Sequence, residues 1–291
     1  MKRLPLRVAL MEAERTLADA GVASPRADAE WLAVHVLGVD RGRLAAVPLV
    51  DADVVEALQT LVARRATREP LQHILGTAVL GPAEVAVGPG VFIPRPETEV
   101  LLEWGLKQIA DVPSPLVVDL CTGSGALALA IAGCRPDARV HAVEADPGAL
   151  VWTRRNADTH AAAGGTPITV HAADVRWNDL LVEHEAKVDL VVCNPPYVPD
   201  GTPVPAEVAD WDPPGAVFGG PDGLEIIRAV ITTAAGLLRH GGWLGIEHDD
   251  THGESVPALF ARRRVFSDVA DHLDWTGRPR FVTARRSPLG S

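Results

Sequence analysis

Apolar positions in the first 75 residues recur at helical spacing. Leu6, Leu10, Ala13 and Leu17 share one face of a first helix that ends near Gly21. Ser24 before Pro25 predicts an N-cap and a first helical position, and Gly38 closes that second helix. Asp51 heads a third, with Val54, Leu58, Leu61 and Val62 on its apolar side and Arg64, Arg65 and Arg68 at its end. Cations suit the negative end of a helix dipole, so these arginines read as a solvated last turn rather than a nucleic-acid patch. The pattern breaks over 76–96, where Gly76, Gly81, Pro82, Gly88, Pro89, Gly90, Pro94 and Pro96 punctuate short β-branched pieces. A hairpin-like linker is expected there. From Glu97 onward, strand-length apolar runs alternate with helical stretches. Strands are expected at 116–120, 139–144, 167–172, 187–193, 242–247, 264–270 and 279–286, with helices between the first five and another over 252–262. The alternation predicts an α/β fold: a mostly parallel seven-stranded sheet with helices on both faces. The expected organisation is a helical domain over 1–75, a β-hairpin linker over 76–96 and a sheet domain over 97–291.

Composition narrows the setting. The 291 residues are 47% hydrophobic and 22% charged, which argues against disorder. Met1-Lys2-Arg3-Leu4-Pro5 lacks the apolar run of a signal peptide, and no uninterrupted apolar segment approaches membrane-span length. Cys121, Cys134 and Cys193 are odd in number and far apart, which fits a reducing compartment better than a disulfide framework or a zinc site. A cytoplasmic protein with no membrane association is expected. The net charge of −11 is unevenly spread. Residues 1–75 hold ten Lys/Arg and ten Asp/Glu, so the remainder carries the whole excess. Between Lys187 and Arg228 there is no basic residue, while Asp189, Asp200, Glu207, Asp210, Asp212, Asp222 and Glu225 all fall there. A surface that follows a phosphate backbone needs Lys and Arg, so this segment has the wrong sign for nucleic acid.

That segment contains Asn194-Pro195-Pro196-Tyr197, directly after an apolar strand and including the only tyrosine of the chain. Open α/β sheets bind ligands at the carboxyl ends of their strands. Alone, the corner reads as a strand-ending turn. Three earlier strand tips alter that reading. Leu116–Leu120 is followed by Cys121-Thr122-Gly123-Ser124-Gly125 and an Ala/Leu-rich helix, so small residues precede a helix N-terminus. The next strand ends in Glu144, about twenty positions on, where a carboxylate can accept ribose hydroxyls. Asp174 ends the third, with Val175 after it. No Gly-x-Gly-x-x-Gly and no Walker motif is present for a dinucleotide or a triphosphate. A nucleoside without a phosphate cradle, beside Asn-Pro-Pro-Tyr, points to S-adenosyl-L-methionine.

The chain resembles class I S-adenosylmethionine-dependent methyltransferases, and specifically the HemK/PrmC protein-(glutamine-N5) methyltransferases of peptide-chain release factors. The resemblance is carried by Arg68-Glu69-Pro70-Leu71-Gln72-His73-Ile74-Leu75-Gly76, Ile93-Pro94-Arg95-Pro96-Glu97-Thr98-Glu99, Asp119 to Gly125, Asn194 to Tyr197 and Gly219-Gly220-Pro221-Asp222-Gly223-Leu224. It implies a Rossmann-like fold with a small N-terminal helical domain that recognises substrate. It also implies a cofactor site at Asp119, Cys121, Thr122, Gly123, Ser124, Gly125, Glu144, Asp174, Val175 and Asn194, with S-adenosyl-L-homocysteine as product. The implied substrate is the glutamine of the Gly-Gly-Gln motif in class 1 release factors, whose methylation modulates translation termination. No metal and no direct nucleic-acid contact are expected, and a monomer is. Two departures stand out: Cys121 occupies a position usually held by Gly, and Val175 one that is often aromatic, with Trp177 two places on. Cys121 and Cys193 are expected close together, since the first and fourth strands are neighbours in this fold.

A carboxamide nitrogen is a poor nucleophile, so the protein's task is positioning and electrostatics. The Asn194 side-chain oxygen and the Pro195 carbonyl are expected to accept the two N–H bonds of the substrate amide. Pro195 and Pro196 stiffen the corner, and Tyr197 is expected to pack against the substrate side chain. Two rivals remain open at this stage: adenine-N6 methylation of DNA or RNA with the same corner, and a non-catalytic binding module. His248 and His252 invite a zinc reading, but they follow a strand at a loop, so solvated histidines are expected instead.

Overall fold

The computed structural model describes residues 3–261 and 264–287. Met1, Lys2 and the last position of the helix expected over 252–262 lie outside the described residues. The chain divides into two units, one of residues up to Thr77 together with Pro205–Trp211, the other of Ala78–Val204 and the residues from Asp212 on.

In the first unit, β1 (Arg3–Pro5) leads into α1 (Leu6–Asp19) and α2 (Pro25–Leu37), followed by β2 (Leu49–Asp51), α3 (Ala52–Ala66) and α4 (Leu71–Leu75). The two short strands pair antiparallel, and Leu6, Leu17, Leu32, Leu58 and Ile74 fill the core. Gly38 closes α2 at a φ of 62°, a conformation that suits a residue without Cβ. Ser24 and Asp51 hold the N-cap positions but make no side-chain cap bond.

The end of α3 corrects the expected solvated turn in part: Arg64 is exposed and pairs with nearby Glu69, whereas Arg65 and Arg68 are engaged further off. Arg65 is only 7% exposed. It donates to Asp28 at 2.8 Å, to Glu207 at 3.2 Å and to the Glu69 carbonyl at 3.1 Å. Arg68 forks onto Glu207 at 2.8 and 2.6 Å. A guanidinium taken out of water needs such partners, because an uncompensated buried charge is strongly destabilising.

In the second unit, β3 (Thr77–Leu80) and β4 (Ala83–Ala86) form a hairpin, followed by α5 (Thr98–Gln108), a helix the sequence pattern did not suggest. Next come β5 (Leu116–Leu120), α6 (Ala126–Cys134), β6 (Arg139–Glu144), α7 (Pro147–Ala162), β7 (Thr169–Ala172) and β8 (Val188–Cys193). The chain continues through α8 (Ala206–Trp211, part of the first unit), α9 (Pro214–Val217) and α10 (Glu225–Leu237). It ends with β9 (Leu238–Glu247), α11 (Ser255–Ala261), β10 (Phe266–Leu273) and β11 (Pro279–Arg286).

The sheet has seven strands in the order β10-β11-β9-β8-β5-β6-β7. Only the pairs made by β11 are antiparallel. One expected helix is missing: between β7 and β8 the chain forms a single 3-10 turn, Val182–His184. Positive φ at Leu181 and Ala186 interrupts any longer helix there. Val117, Leu190 and Val192 face α5 and α6 on one side of the sheet. Leu120, Val191 and Cys193 meet Ile227, Val230 and Phe260 on the other. From β5 the strand order runs one way to β6 and the other way to β8. The crevice outside their carboxyl ends is the place such a fold offers to a ligand.

Candidate active site

A cavity of about 240 Å³ opens at that crevice. Its first wall is the loop after β5. The Thr122 hydroxyl donates to Asp119 at 2.6 Å, and its N–H donates to the Val143 carbonyl at 3.0 Å. Burial is the main reason the Asp119 carboxyl is pushed up to about 7, against the hydrogen bond from Thr122. Thr153 on α7 donates to the Gly123 carbonyl at 2.6 Å, and Asn156 donates to that of Ser124 at 2.9 Å. Two polar side chains on a neighbouring helix therefore fix the loop from behind. No local sequence signal marks them. Gly125 and Gly123 both have positive φ, and Cys121 does too, at 57°, without the freedom of glycine.

Glu144 caps β6 and is held by backbone. Its Oε2 accepts from Gly123 N–H at 2.8 Å, and Oε1 accepts from Ala145 and Asp146 at 2.9 and 2.8 Å. The Gly123 N–H is thus committed to the carboxylate rather than to a ligand. Asp174 is forked by Arg176, with 2.6 Å the shortest contact, and this partner holds its carboxyl below the usual range. Val175 is buried and lines the cavity, whereas Trp177 is 55% exposed and faces a separate depression. Val175, not Trp177, therefore forms the wall here. Cys121 and Cys193 do come together, their thiols within hydrogen-bonding reach, and burial raises Cys193. Both are free thiols.

The opposite wall holds the Asn-Pro-Pro-Tyr corner. Asn194 and Pro196 line the cavity with Phe92, Pro94 and Thr98, and Pro213, Gly215 and Ala216 close it. The corner is clasped by the second glycine segment. A Cβ on Gly223 would lie 2.3 Å from the Tyr197 carbonyl, and one on Gly219 would lie 2.5 Å from that of Pro196. Pro195 is buried. Tyr197 departs from its expected place: it packs against the core and does not line the cavity. Its hydroxyl donates to Glu247 at 3.3 Å, and burial pushes that hydroxyl far up. Asn194 Nδ2 donates to Thr98 Oγ1 at 3.1 Å, and Thr98 Oγ1 donates to Glu247 Oε2 at 2.8 Å. Thr98 and Glu247 were not singled out from the sequence. Thr98 lay in view inside the Ile-Pro-Arg-Pro-Glu-Thr segment, while Glu247 looked like any strand-end acid.

Charge around the corner also differs from the sequence reading. Asp189 pairs with Arg239, Glu207 with Arg65 and Arg68, Asp212 with Arg95, Asp222 with Arg228, and Glu225 approaches Arg176 at 3.6 Å. Four of the seven acids are therefore paired with arginines, and Glu225 shares Arg176 with Asp174. The acidic stretch is less acidic at its surface than the sequence suggests. The two histidines are not solvated either: His248 is fully buried, bonded to Asp271 at 2.8 Å and to the Asp249 carbonyl at 2.9 Å, and His252 is buried as well. Among the described residues no group of three or more His, Cys, Asp or Glu is arranged to hold a metal ion.

Residues 8–76 match the family described as PrmC N-terminal domain, and 94–208 match the methyltransferase small domain. The chain is 55% identical over 282 residues to the release factor glutamine methyltransferase of Mycolicibacterium smegmatis, covering 97% of this chain and 98% of that one. The chain belongs to the release factor glutamine methyltransferase family. The Streptomyces coelicolor member is 49% identical, covering 95% of this chain and 96% of the relative. Among solved structures, the hMettl16 catalytic domain aligns with a TM-score of 0.54 at 16% identity, over 78% of this chain and 81% of that one. At that identity the likeness speaks for the methyltransferase fold alone. Family membership makes this chain an enzyme of the methyltransferase class and fits the seven-stranded sheet that carries its cavity.

Proposed function

We propose that this enzyme transfers a methyl group from S-adenosylmethionine to the side-chain amide nitrogen of a glutamine in a class 1 peptide-chain release factor. The observation that carries the reading is Asn194, whose amide Nδ2 is engaged by Thr98, leaving Oδ1 as the acceptor at the cavity. The other end of the cavity suits the cofactor. Asp119, Glu144, Asp146 and Asp174 line it against a single base, Arg176, which is committed to Asp174. An acidic wall without a free cation suits a sulfonium nucleoside and repels a nucleotide phosphate. Asp119, Cys121, Thr122, Gly123, Ser124, Glu144, Asp174 and Val175 line this end; Gly125 stays out of the lining and serves the turn into α6, and Glu144 is the acceptor for ribose hydroxyls on this reading.

Bound at that end, S-adenosylmethionine would supply an activated methyl, the S–CH3 electron pair remaining on sulfur in the product S-adenosylhomocysteine. The rest falls to the protein. Asn194 Oδ1 and the Pro195 carbonyl accept the two N–H bonds of the substrate amide and hold its nitrogen, which bonds the methyl and then releases a proton to water. Pro195 and Pro196 bring no N–H that would compete for those acceptors. Tyr197 anchors the corner from the core side rather than touching substrate. No metal enters this scheme, and it places the enzyme in the cytoplasm, where release factors act.

Adenine methylation shares the corner. With most of those acids paired, the choice of glutamine rests on the family and not on surface charge. Purified enzyme with labelled cofactor and either a release factor or DNA decides it. Label on a release-factor glutamine, located by mass spectrometry, is expected; label on DNA alone overturns the assignment.

A further inference from the structure

The side-chain amide of Asn194 is useful only in one of its two orientations. A substrate amide nitrogen brings two N–H donors, so Asn194 must present oxygen to it. Presenting its own NH2 would set donor against donor. Which way an amide faces is fixed by the partners at its other end. Here that partner is Thr98, a hydroxyl with one proton to give.

The proton of Thr98 goes to Glu247. Thr98 is 3% exposed at the start of α5, and Glu247 is 1% exposed at the end of β9, so water does not compete. Thr98 Oγ1 donates to Glu247 Oε2 at 2.8 Å and accepts from Asn194 Nδ2 at 3.1 Å, while the Tyr197 hydroxyl donates to Glu247 Oε1 at 3.3 Å. Both routes into the carboxylate carry donors toward it. An ionised carboxylate can only accept, and that single fact gives the chain its direction. We propose that Glu247, acting through Thr98, is a positioning residue that determines which end of the Asn194 amide meets the substrate.

This inference rests on the reading of Asn194 as acceptor for the substrate amide, and it adds a condition to it. If Glu247 takes up a proton, it can donate to Thr98, Thr98 can donate to Asn194 Oδ1, and the amide turns its NH2 toward the substrate. The groups facing Glu247 decide when this happens. Glu97 and Thr98 lie at the start of α5, Tyr197 follows β8, and Arg280 stands on β11, tied to Asp274 at 3.2 Å. Burial pushes the Glu247 carboxyl up, with a small addition from Glu97, while Thr98, Arg280 and Tyr197 pull it down. Burial wins, and the carboxyl titrates at about 7. Above that pH it is ionised and the chain runs in the productive direction. As pH falls through it, the productive orientation is lost.

The test compares kcat at saturating cofactor and release factor over roughly pH 5.5 to 9 for wild type, Glu247→Gln, Thr98→Val and Thr98→Ser. The wild-type rate is expected to fall on the acid side of about 7, and this limb disappears in Glu247→Gln because glutamine does not titrate. Thr98→Val keeps the shape of the side chain without its hydroxyl. It is expected to lower kcat about ten-fold, as loss of one buried hydrogen bond would, with KM for the cofactor unchanged; Thr98→Ser restores the rate. An unchanged acid limb in Glu247→Gln, or a wild-type kcat in Thr98→Val, overturns the proposal. Should Glu247→Gln not fold, the Thr98 pair carries the test. Asn194→Ala separates the two claims: if that variant retains near-normal transfer, the underlying role of Asn194 fails, whatever the pH profiles show.

Discussion

The two ends of the cavity hold their key carboxylates in different ways. Glu144 sits at the tip of β6 with three backbone N–H groups pointing at it. Glu247 sits at the tip of β9 with side-chain hydroxyls on both its oxygens and Arg280 nearby. Backbone donors cannot rotate or give up their direction, so Glu144 is a fixed acceptor. Hydroxyls can reverse, so Glu247 sits in a network whose direction depends on its charge. On the proposed reading, the cofactor end is built for permanence and the substrate end for polarity. That contrast predicts different failures when each end is altered.

The largest effect should come from Asn194→Ala. It removes the side-chain acceptor proposed for the substrate amide, and catalytic hydrogen-bonding groups of this kind are worth about 10²–10³ in kcat. Cofactor affinity, measured by calorimetry, should stay within about two-fold, because nothing at the β5 and β6 tips has changed. A parallel loss of cofactor binding would break the division between the two ends. Gly223→Ala should approach the same loss by another route. Its Cβ would stand 2.3 Å from the Tyr197 carbonyl at a φ of 70°, so the corner must shift to admit it. Displacing the reacting groups by about 1 Å is enough for a loss near 10². Full activity in this variant would show that the corner tolerates movement.

Glu144→Gln probes the other end and should do the reverse. Its new NH2 would face backbone N–H groups, and one charge-assisted acceptor is lost, so cofactor Kd should rise about ten- to one-hundred-fold. At saturating cofactor, kcat should change little. If kcat falls instead while Kd holds, the carboxylate is acting on the transfer step and the two ends are not divided in this way.

The sequence made the cofactor end easier to read than the substrate end, and the reason is physical. A strand followed by small residues and a helix, then an acid at the next strand tip, is local information, because backbone geometry decides it. The α/β alternation behind the sheet is local in the same sense. At the substrate end the contacts are long-range: Thr98 reaches Asn194 across 96 positions and Glu247 across 149. The same limit explains the arginines of α3 and the acids around the corner. Arg65 and Arg68 looked solvated in their own window, yet Arg65 finds Asp28 and Glu207 and Arg68 finds Glu207, and Asp189 and Asp212 likewise pair with arginines well outside the segment. The helix expected between β7 and β8 gives way to a chain that turns through positive φ at Leu181 and Ala186, a course that two good helix formers do not announce.

At Cys121 the fixed backbone of the cofactor loop meets a side chain that does not suit it. The cofactor loop turns through a φ of 57° at this residue, a conformation that favours glycine and costs another side chain about 1–2 kcal/mol. Part of that cost returns on substitution, because glycine gives the unfolded chain more freedom, on the order of 0.5–1 kcal/mol. Cys121→Gly should therefore stabilise the protein by about 0.5–1 kcal/mol, seen as a higher urea midpoint with an unchanged slope. The thiol also touches Cys193, so the substitution removes a contact as well as a strained backbone. Cys121→Ala separates the two, since it keeps the Cβ and the strain but loses the sulfur. If alanine is destabilising and glycine recovers more than that loss, backbone strain dominates at this position. If both variants are destabilised alike, the buried thiol contact holds the loop, and the fixed character of the cofactor end depends on a side chain after all.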